Sequence, residues 1–255
     1  MTQNSADHRP TALVTGSTSG IGAATARALA ADGTHVVVTG RDQDRGRAVV
    51  DQIVDGGGSA VFVASDLTAD PDELRAFARD ATEAAGGQID LLVHNAAVCV
   101  VTNTPGLDDD DLETTLAVNV RAPHVLTAAL APAMAERGHG AIIVIGSWMA
   151  EVGHPFVGLY AASKAAEQEL ARCWAAEFGP RGVRVNCVAP GATRTPINDG
   201  SSDAIDALTA VIPARRSGTP DDVAAAVAWL ASDASSYVHG TVLQVDGGIT
   251  ATHSS

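Results

Sequence analysis

The chain has 255 residues, 46% of them apolar, and a formal net charge of −14. That acidity argues against nucleic acid or an anionic membrane as partner, and no apolar run is long enough to span a bilayer. Cys99, Cys173 and Cys187 are odd in number and lack metal-ligand spacing, and the polar N-terminus has no apolar signal core; a cytoplasmic protein with reduced thiols and no metal is expected, as one α/β domain over 1–255.

Residues 11–15 read as a short apolar strand running into Gly16-Ser17-Thr18-Ser19-Gly20-Ile21-Gly22, with a helix from about 23. Strand, glycine-rich turn and helix together suit a dinucleotide: glycines let backbone approach a pyrophosphate, and the helix N-terminus offers free N–H groups. A second strand, 35–39, leads to Gly40-Arg41-Asp42. A carboxylate at this strand end serves ribose hydroxyls, whereas an Arg accommodates a 2′-phosphate. Gly40 followed by Arg41 therefore favours NADP(H) over NAD(H), with Asp42 as the residue that would serve NAD instead. A helix over 43–53 stops at three glycines, 56–58. Strand 60–64 is followed by Asp66 and Leu67, helix 71–85 by glycines, and strand 89–93 by His94-Asn95-Ala96-Ala97. The acidic run 108–111 precedes a helix over about 112–137, where it suits the positive end of the helix dipole. Asn119 sits inside that helix, a poor place for Asn unless it has a local task.

Residues 142–145 form a β-rich apolar strand, and Ser147 stands just past its end. Residues 159–178 are strong helix formers without Gly or Pro, so Tyr160 and Lys164 lie four apart on one face. A phenol titrates near pH ~10, too high for a base at neutrality, and a neighbouring ammonium lowers that value. Phenol, ammonium and hydroxyl gathered at a strand end make proton-transfer machinery. Strand 182–188 leads to Pro190-Gly191 and on through Thr193 and Thr195. The stretch 196–213 is irregular and polar, so 193–215 reads as a lid-like insertion. Thr219-Pro220 starts a helix that runs to about 232, and a last strand covers 241–245. Strands alternating with helices imply a Rossmann-like, doubly wound parallel sheet with helices on both faces.

Ser147 with Tyr160-x-x-x-Lys164, the Thr15-Gly16-x-x-x-Gly20-Ile21-Gly22 turn, Asp66, Asn95-Ala96, Asn119 and Pro190-Gly191 occur in the order of the short-chain dehydrogenase/reductase family, which the chain resembles from about 10 to 250. His94 and Ala97 depart from the family's Asn-Asn-Ala-Gly. The resemblance implies an NAD(P)-dependent enzyme interconverting a secondary alcohol and a ketone, with Tyr160 as acid/base, Ser147 on the substrate oxygen, Lys164 lowering the phenol pKa and holding the nicotinamide ribose, and Asn119 anchoring a water. It implies a cofactor site formed by Gly16, Ser17, Thr18, Ser19, Gly20, Ile21, Gly22, Arg41, Asp66, Leu67, Asn95, Ala96, Tyr160, Lys164, Pro190, Gly191, Thr193 and Thr195. It also implies a homotetramer, or failing that a dimer. Val98, Cys99, Trp148, Met149, His154, Phe156 and Ile197, with Ser147 and Tyr160, should line a pocket for a small neutral carbonyl or alcohol. The alternatives are a 3-oxoacyl-[acyl-carrier-protein] reductase-like enzyme and a nucleotide-binding regulator without catalysis.

Overall fold

The computed structural model describes residues 9–196 and 202–252. Seven strands pair in parallel in the order β3-β2-β1-β4-β5-β6-β7: β1 Thr11–Val14, β2 His35–Gly40, β3 Ser59–Ala64, β4 Leu91–His94, β5 Gly140–Ile145, β6 Val183–Pro190 and β7 Val242–Val245. β1, β4 and β5 are buried along their whole length, which is why they read as continuous apolar runs and not as alternating ones. Successive residues nevertheless face opposite ways. Leu13, Val37, Leu92, Ile142 and Val144 pack on one side with Leu74, Phe77, Leu126, Leu130, Trp174 and Phe178. Val14, Val36, Val38, Ile143 and Ile145 pack on the other with Ala23, Ala26, Val223, Val227 and Leu230.

The helices are α1 Gly20–Ala31, α2 Gln43–Asp55, α3 Pro71–Ala84, α4 Asp109–Leu116, α5 Ala122–Arg137, α6 Gly158–Phe178, α7 Ser202–Thr209 and α8 Pro220–Ala231. α3, α5 and α6 cover the first face, α1, α2 and α8 the second. The strand order reverses between β1 and β4, so their carboxyl ends diverge and open a crevice, where ligands bind in such sheets.

Two departures from the sequence reading bear on this crevice. The single helix expected over 112–137 starts earlier, at Asp109, and is split by a π turn, Ala117–Arg121. Pro123 has no N–H to return to the carbonyl of Asn119, and the chain absorbs the missing bond by widening the turn. Secondly, the stretch expected to be irregular over 196–213 contains α7, with Ile205, Thr209 and Ile212 buried. Arg194 pairs with Asp206, tying the segment after β6 to this helix.

Candidate active site

α1 begins directly beneath the glycine-rich turn. Its first residue Gly20 and the turn residue Gly16 both have positive φ, 55° and 62°, a conformation that side chains resist. A Cβ on Gly16 would lie 2.8 Å from Cα of Ala96, and one on Gly22 would lie 2.4 Å from Nδ2 of Asn95. The turn is thus pressed against the loop after β4. Asn95 clamps it there by donating to the carbonyls of Thr15 at 2.9 Å and Gly16 at 3.1 Å. The N-termini of α2, α3, α4 and α8 are each capped by a side chain, from Asp42, Asp70, Asp108 and Thr219. That of α1 has neither a capping side chain nor an acidic residue in its first turn, so its N–H groups are left for an anion. A pyrophosphate fits this cradle.

Several residues expected at the cofactor turn their side chains elsewhere. Ser17 is fully buried: its hydroxyl donates to the Val14 carbonyl at 2.7 Å and accepts the Thr39 N–H at 2.8 Å, stitching β1 to β2. Leu67 belongs to the core around Leu74 and Phe77. Thr193 is buried and donates to the Gly191 carbonyl. These three can meet a cofactor through backbone alone. Thr195 lies opposite the turn, 3.6 Å from where a Cβ on Gly20 would stand. Asp66 accepts from the N–H and hydroxyl of Thr68, at 2.9 and 2.7 Å. Those bonds, with a smaller pull from Arg41, hold its carboxyl below the usual range.

Between β5 and α6 stand the polar groups of the crevice. The Ser147 hydroxyl accepts the Met149 N–H at 3.1 Å and stands near enough to the Tyr160 phenol to favour its ionised form. Gln168 donates to the Ser147 carbonyl at 3.2 Å. Tyr160 is half-buried, and the Lys164 ammonium stands 5.9 Å from the ring centroid. Lys164 is buried and donates to the Ile145 carbonyl at 2.8 Å. Asn119 is buried with both amide hydrogens spent, on the Val98 carbonyl (2.9 Å) and the Ser163 hydroxyl (2.9 Å), while its oxygen takes the Val98 N–H at 2.8 Å. It fixes the backbone of the loop that carries Val98 and Cys99 and has no amide hydrogen left for a water.

The electrostatics differ from the simple expectation for Tyr160. Lys164 and the Ser147 hydroxyl do pull its pKa down, but burial outweighs them and the phenol is pushed up. Glu167, which sequence reasoning did not single out, explains part of this: its carboxylate lies 2.6 Å from the Lys164 ammonium, both groups buried, and it offsets the charge that Tyr160 feels. Its position was a signal. Lys164, Ala171, Trp174 and Phe178 form the buried stripe of α6, and Glu167 falls on it.

Of the expected pocket wall, Cys99 sits near enough to Tyr160 for their charges to interact. Met149 is half-buried, and His154 and Phe156 are exposed. Trp148 is buried. Phe156 has φ of 71°, unusual for a bulky residue, and its carbonyl receives the Thr102 N–H at 2.7 Å. Ile197 lies outside the described residues. Among the described residues no group of three or more His, Cys, Asp or Glu side chains could hold a metal, and no helix is long and apolar enough to cross a membrane.

His94 is a packing residue. Its Nε2 pairs with the Thr127 hydroxyl at 2.8 Å, its ring lies 5.9 Å from Trp174, and burial, aided by Lys164, pushes its pKa down to about 3. The unfolded chain binds a proton here below about pH 6.5, whereas the folded chain stays neutral. Stability from this site is complete above about pH 6.5 and is lost as pH falls toward 3, by about 4–5 kcal/mol at most. Glu167, pushed up to about 7 by burial, acts in the opposite sense between about pH 7 and 4.5. The His94 loss should therefore stand out below about pH 4.5. His94→Asn should flatten the fall of Tm with acidification there; Tm curves parallel to the parent's would remove His94 from the account.

The comparisons with known proteins identify the family. Residues 16–250 match the family model described as enoyl-(acyl carrier protein) reductase. The chain is 38% identical to 3beta-hydroxysteroid dehydrogenase 1 of Eggerthella lenta over 94% of its length and 93% of that protein's. It is 37% identical to D-threitol dehydrogenase of Mycolicibacterium smegmatis, over 94% and 92%. The structure of a gluconate 5-dehydrogenase from Burkholderia cenocepacia in complex with NADP and tartrate superposes with a TM-score of 0.89 at 34% identity, covering 96% of each chain. The chain belongs to the short-chain dehydrogenase/reductase family. It is an NAD(P)-dependent oxidoreductase acting on CH–OH groups, and it binds a nicotinamide cofactor.

Proposed function

We propose that this enzyme interconverts a neutral secondary alcohol and its ketone with NADP(H), using Tyr160 as the acid/base. The observation that carries this reading is the gathering of the Ser147 hydroxyl, the Tyr160 phenol and the Lys164 ammonium at the carboxyl end of β5, with the ammonium 5.9 Å from the phenol ring and 2.8 Å from the Ile145 carbonyl. When bound, the cofactor supplies the hydride. Ser147 and Tyr160 together hold the carbonyl oxygen, and Tyr160 gives it the phenolic proton as charge develops there. Of the three ammonium hydrogens of Lys164, one goes to Ile145 and one faces Glu167; the third is left for a ribose hydroxyl. With the Asn119 amide committed, a water linking Lys164 to solvent would be held by the Asn119 carbonyl, which Pro123 leaves without its helical donor. The segment 193–215 serves as the lid.

The wall formed by Val98, Cys99, Met149, His154 and Phe156 carries no fixed charge, and the chain's net negative charge disfavours acidic substrates. The hydroxysteroid and threitol relatives act, by their names, on neutral hydroxyl compounds. Arg137, at the end of α5, is spent on the Ile89 carbonyl at 2.7 Å and lies 3.6 Å from Asp90, which weakens the case for docking an acidic acyl carrier. Loss of NADPH absorbance with a panel of neutral cyclic and linear ketones tests the reading; turnover confined to acyl-carrier thioesters would contradict it.

The assembly we infer is a homotetramer. Ala162 and Ala165 stand exposed on the outer face of α6 with Ala161 and Ala166 beside them, a small-residue surface suited to close isologous pairing. Light scattering at micromolar concentration should give four times the chain mass. A dimer would keep the α6 contact and remove the second interface; a monomer would remove both.

A further inference from the structure

Lysine occurs once in this chain, at position 164, against fifteen arginines. That single ammonium is buried, and burial alone works to strip its proton. The groups packed around it supply little compensation. His94 on β4 is held neutral. Cys99 after β4 and Cys187 on β6 are pushed up by burial, Cys187 to about 12, and stay thiols. The Tyr160 phenol is pushed up as well. On α6, Arg172 pairs outward with Glu169, and Arg121 of the π turn donates to the carbonyls of Thr68 and Ala69. β5 contributes only the Ile145 carbonyl. The one carboxyl group packed against it is Glu167, 2.6 Å away on the same buried stripe, with no other hydrogen-bond partner for its carboxyl oxygens among the described residues.

We propose that Glu167 is a positioning residue: the buried counter-ion that keeps Lys164 an ammonium, aimed at Tyr160 and the cofactor's ribose. A buried carboxylate this close to an ammonium outweighs the penalty of burial on that ammonium, and Lys164 is accordingly raised on balance, with Glu167 the principal cause of the rise. The same negative charge opposes ionisation of Tyr160. Glu167 therefore ensures a charged lysine and favours the protonated phenol, the state that donates in reduction. This inference rests on the reading of Lys164 as the partner of Tyr160, but its test does not depend on turnover.

Because there is one lysine, the full chain grown with ¹³C-lysine gives a single side-chain resonance, and its pH titration reads Lys164 directly. In the parent the midpoint should lie above that of an ordinary lysine. In Glu167→Gln, which keeps shape and removes charge, it should fall by about three pH units, the effect of one charge a few ångströms away at an effective dielectric of about 20. The alkaline limb of NADPH-dependent reduction should move down with it, and a merely structural role would not shift that limb. An unchanged lysine midpoint in folded Glu167→Gln overturns the inference. Should that variant not fold, the parent decides: the lysine resonance must show a second inflection near neutral pH as Glu167 ionises, and a single inflection overturns the proposal. A shifted lysine in a protein that reduces no ketone would leave this inference standing and remove the reading of the site as a reductase.

Discussion

Replacing Tyr160 by Phe is expected to lower turnover by about 10²-fold or more, the usual scale for loss of a positioned acid or base, while cofactor binding stays largely intact. The substitution removes only the oxygen. The ring keeps its place on α6 beside Lys164, and Ser147 keeps its bonds to Met149 and Gln168. The glycine-rich turn and the uncapped end of α1 are untouched. The pH dependence carries the same signature. Burial pushes the phenol up, so it remains protonated through neutrality and ketone reduction should vary little there. Alcohol oxidation needs the phenolate, whose fraction grows about tenfold per pH unit below its midpoint, and should rise with that slope. Near-normal turnover in Tyr160→Phe, or oxidation independent of pH, would sink the assignment.

The second large effect concerns cofactor choice. Arg41→Ala should reduce the preference for NADPH over NADH by about ten- to a hundredfold in kcat/KM, since a hydrogen bond to a charged group contributes about 1.5–3 kcal/mol and each ~1.4 kcal/mol is tenfold. Three features of the crevice support this. Asp42, the residue that could have served a ribose instead, is committed to capping α2, accepting from the Arg45 N–H at 3.0 Å and its Nε at 2.7 Å. Arg41 lies within electrostatic reach of Asp66, at the end of the cleft where β2 and β3 finish. No carboxylate stands at position 40, and the space there is taken by Thr18, whose methyl would be 2.7 Å from an added Cβ. The exposure of Arg41 and its attraction to Asp66 place the effect toward the lower end. The converse switch, Gly40→Asp, should be made with Thr18→Ser to remove that methyl. Steady-state kinetics with both cofactors decide the matter. If the parent uses NADH better than NADPH, Arg41 is a surface charge and the 2′-phosphate is bound elsewhere.

The parts of the fold visible in the sequence were those written in local patterns. The residues of β5 announce a buried strand because both of its faces are covered, and the spacing of Tyr160 and Lys164 places them on one helical face whatever packs around them. The glycine-rich turn was legible for a similar reason: it needs positive φ at Gly16 and Gly20, and close backbone approach at Gly22. What stayed hidden depends on tertiary partners. Whether Ser17 and Leu67 face the crevice or the core is set by neighbouring elements, and here they turn inward. Pro123 inside an apparently continuous helix marked the π turn, but only the clamp on Val98 shows what Asn119 does with it. Glu167 was overlooked because a glutamate on a helix is usually solvated. The apolar residues at 171, 174 and 178 were the hint that its face is buried.

The central claim is that hydride passes between the cofactor and a neutral carbonyl carbon in this crevice. Its most direct measurement is a single-turnover reaction with NADPH deuterated at the transferable C4 position, using the most reactive ketone of the panel, with mass spectrometry of the product alcohol. One deuterium on the carbinol carbon, formed by the parent and about 10²-fold more slowly by Tyr160→Phe, is the predicted result. Alcohol formed without the label, or formed equally fast by both proteins, would contradict it.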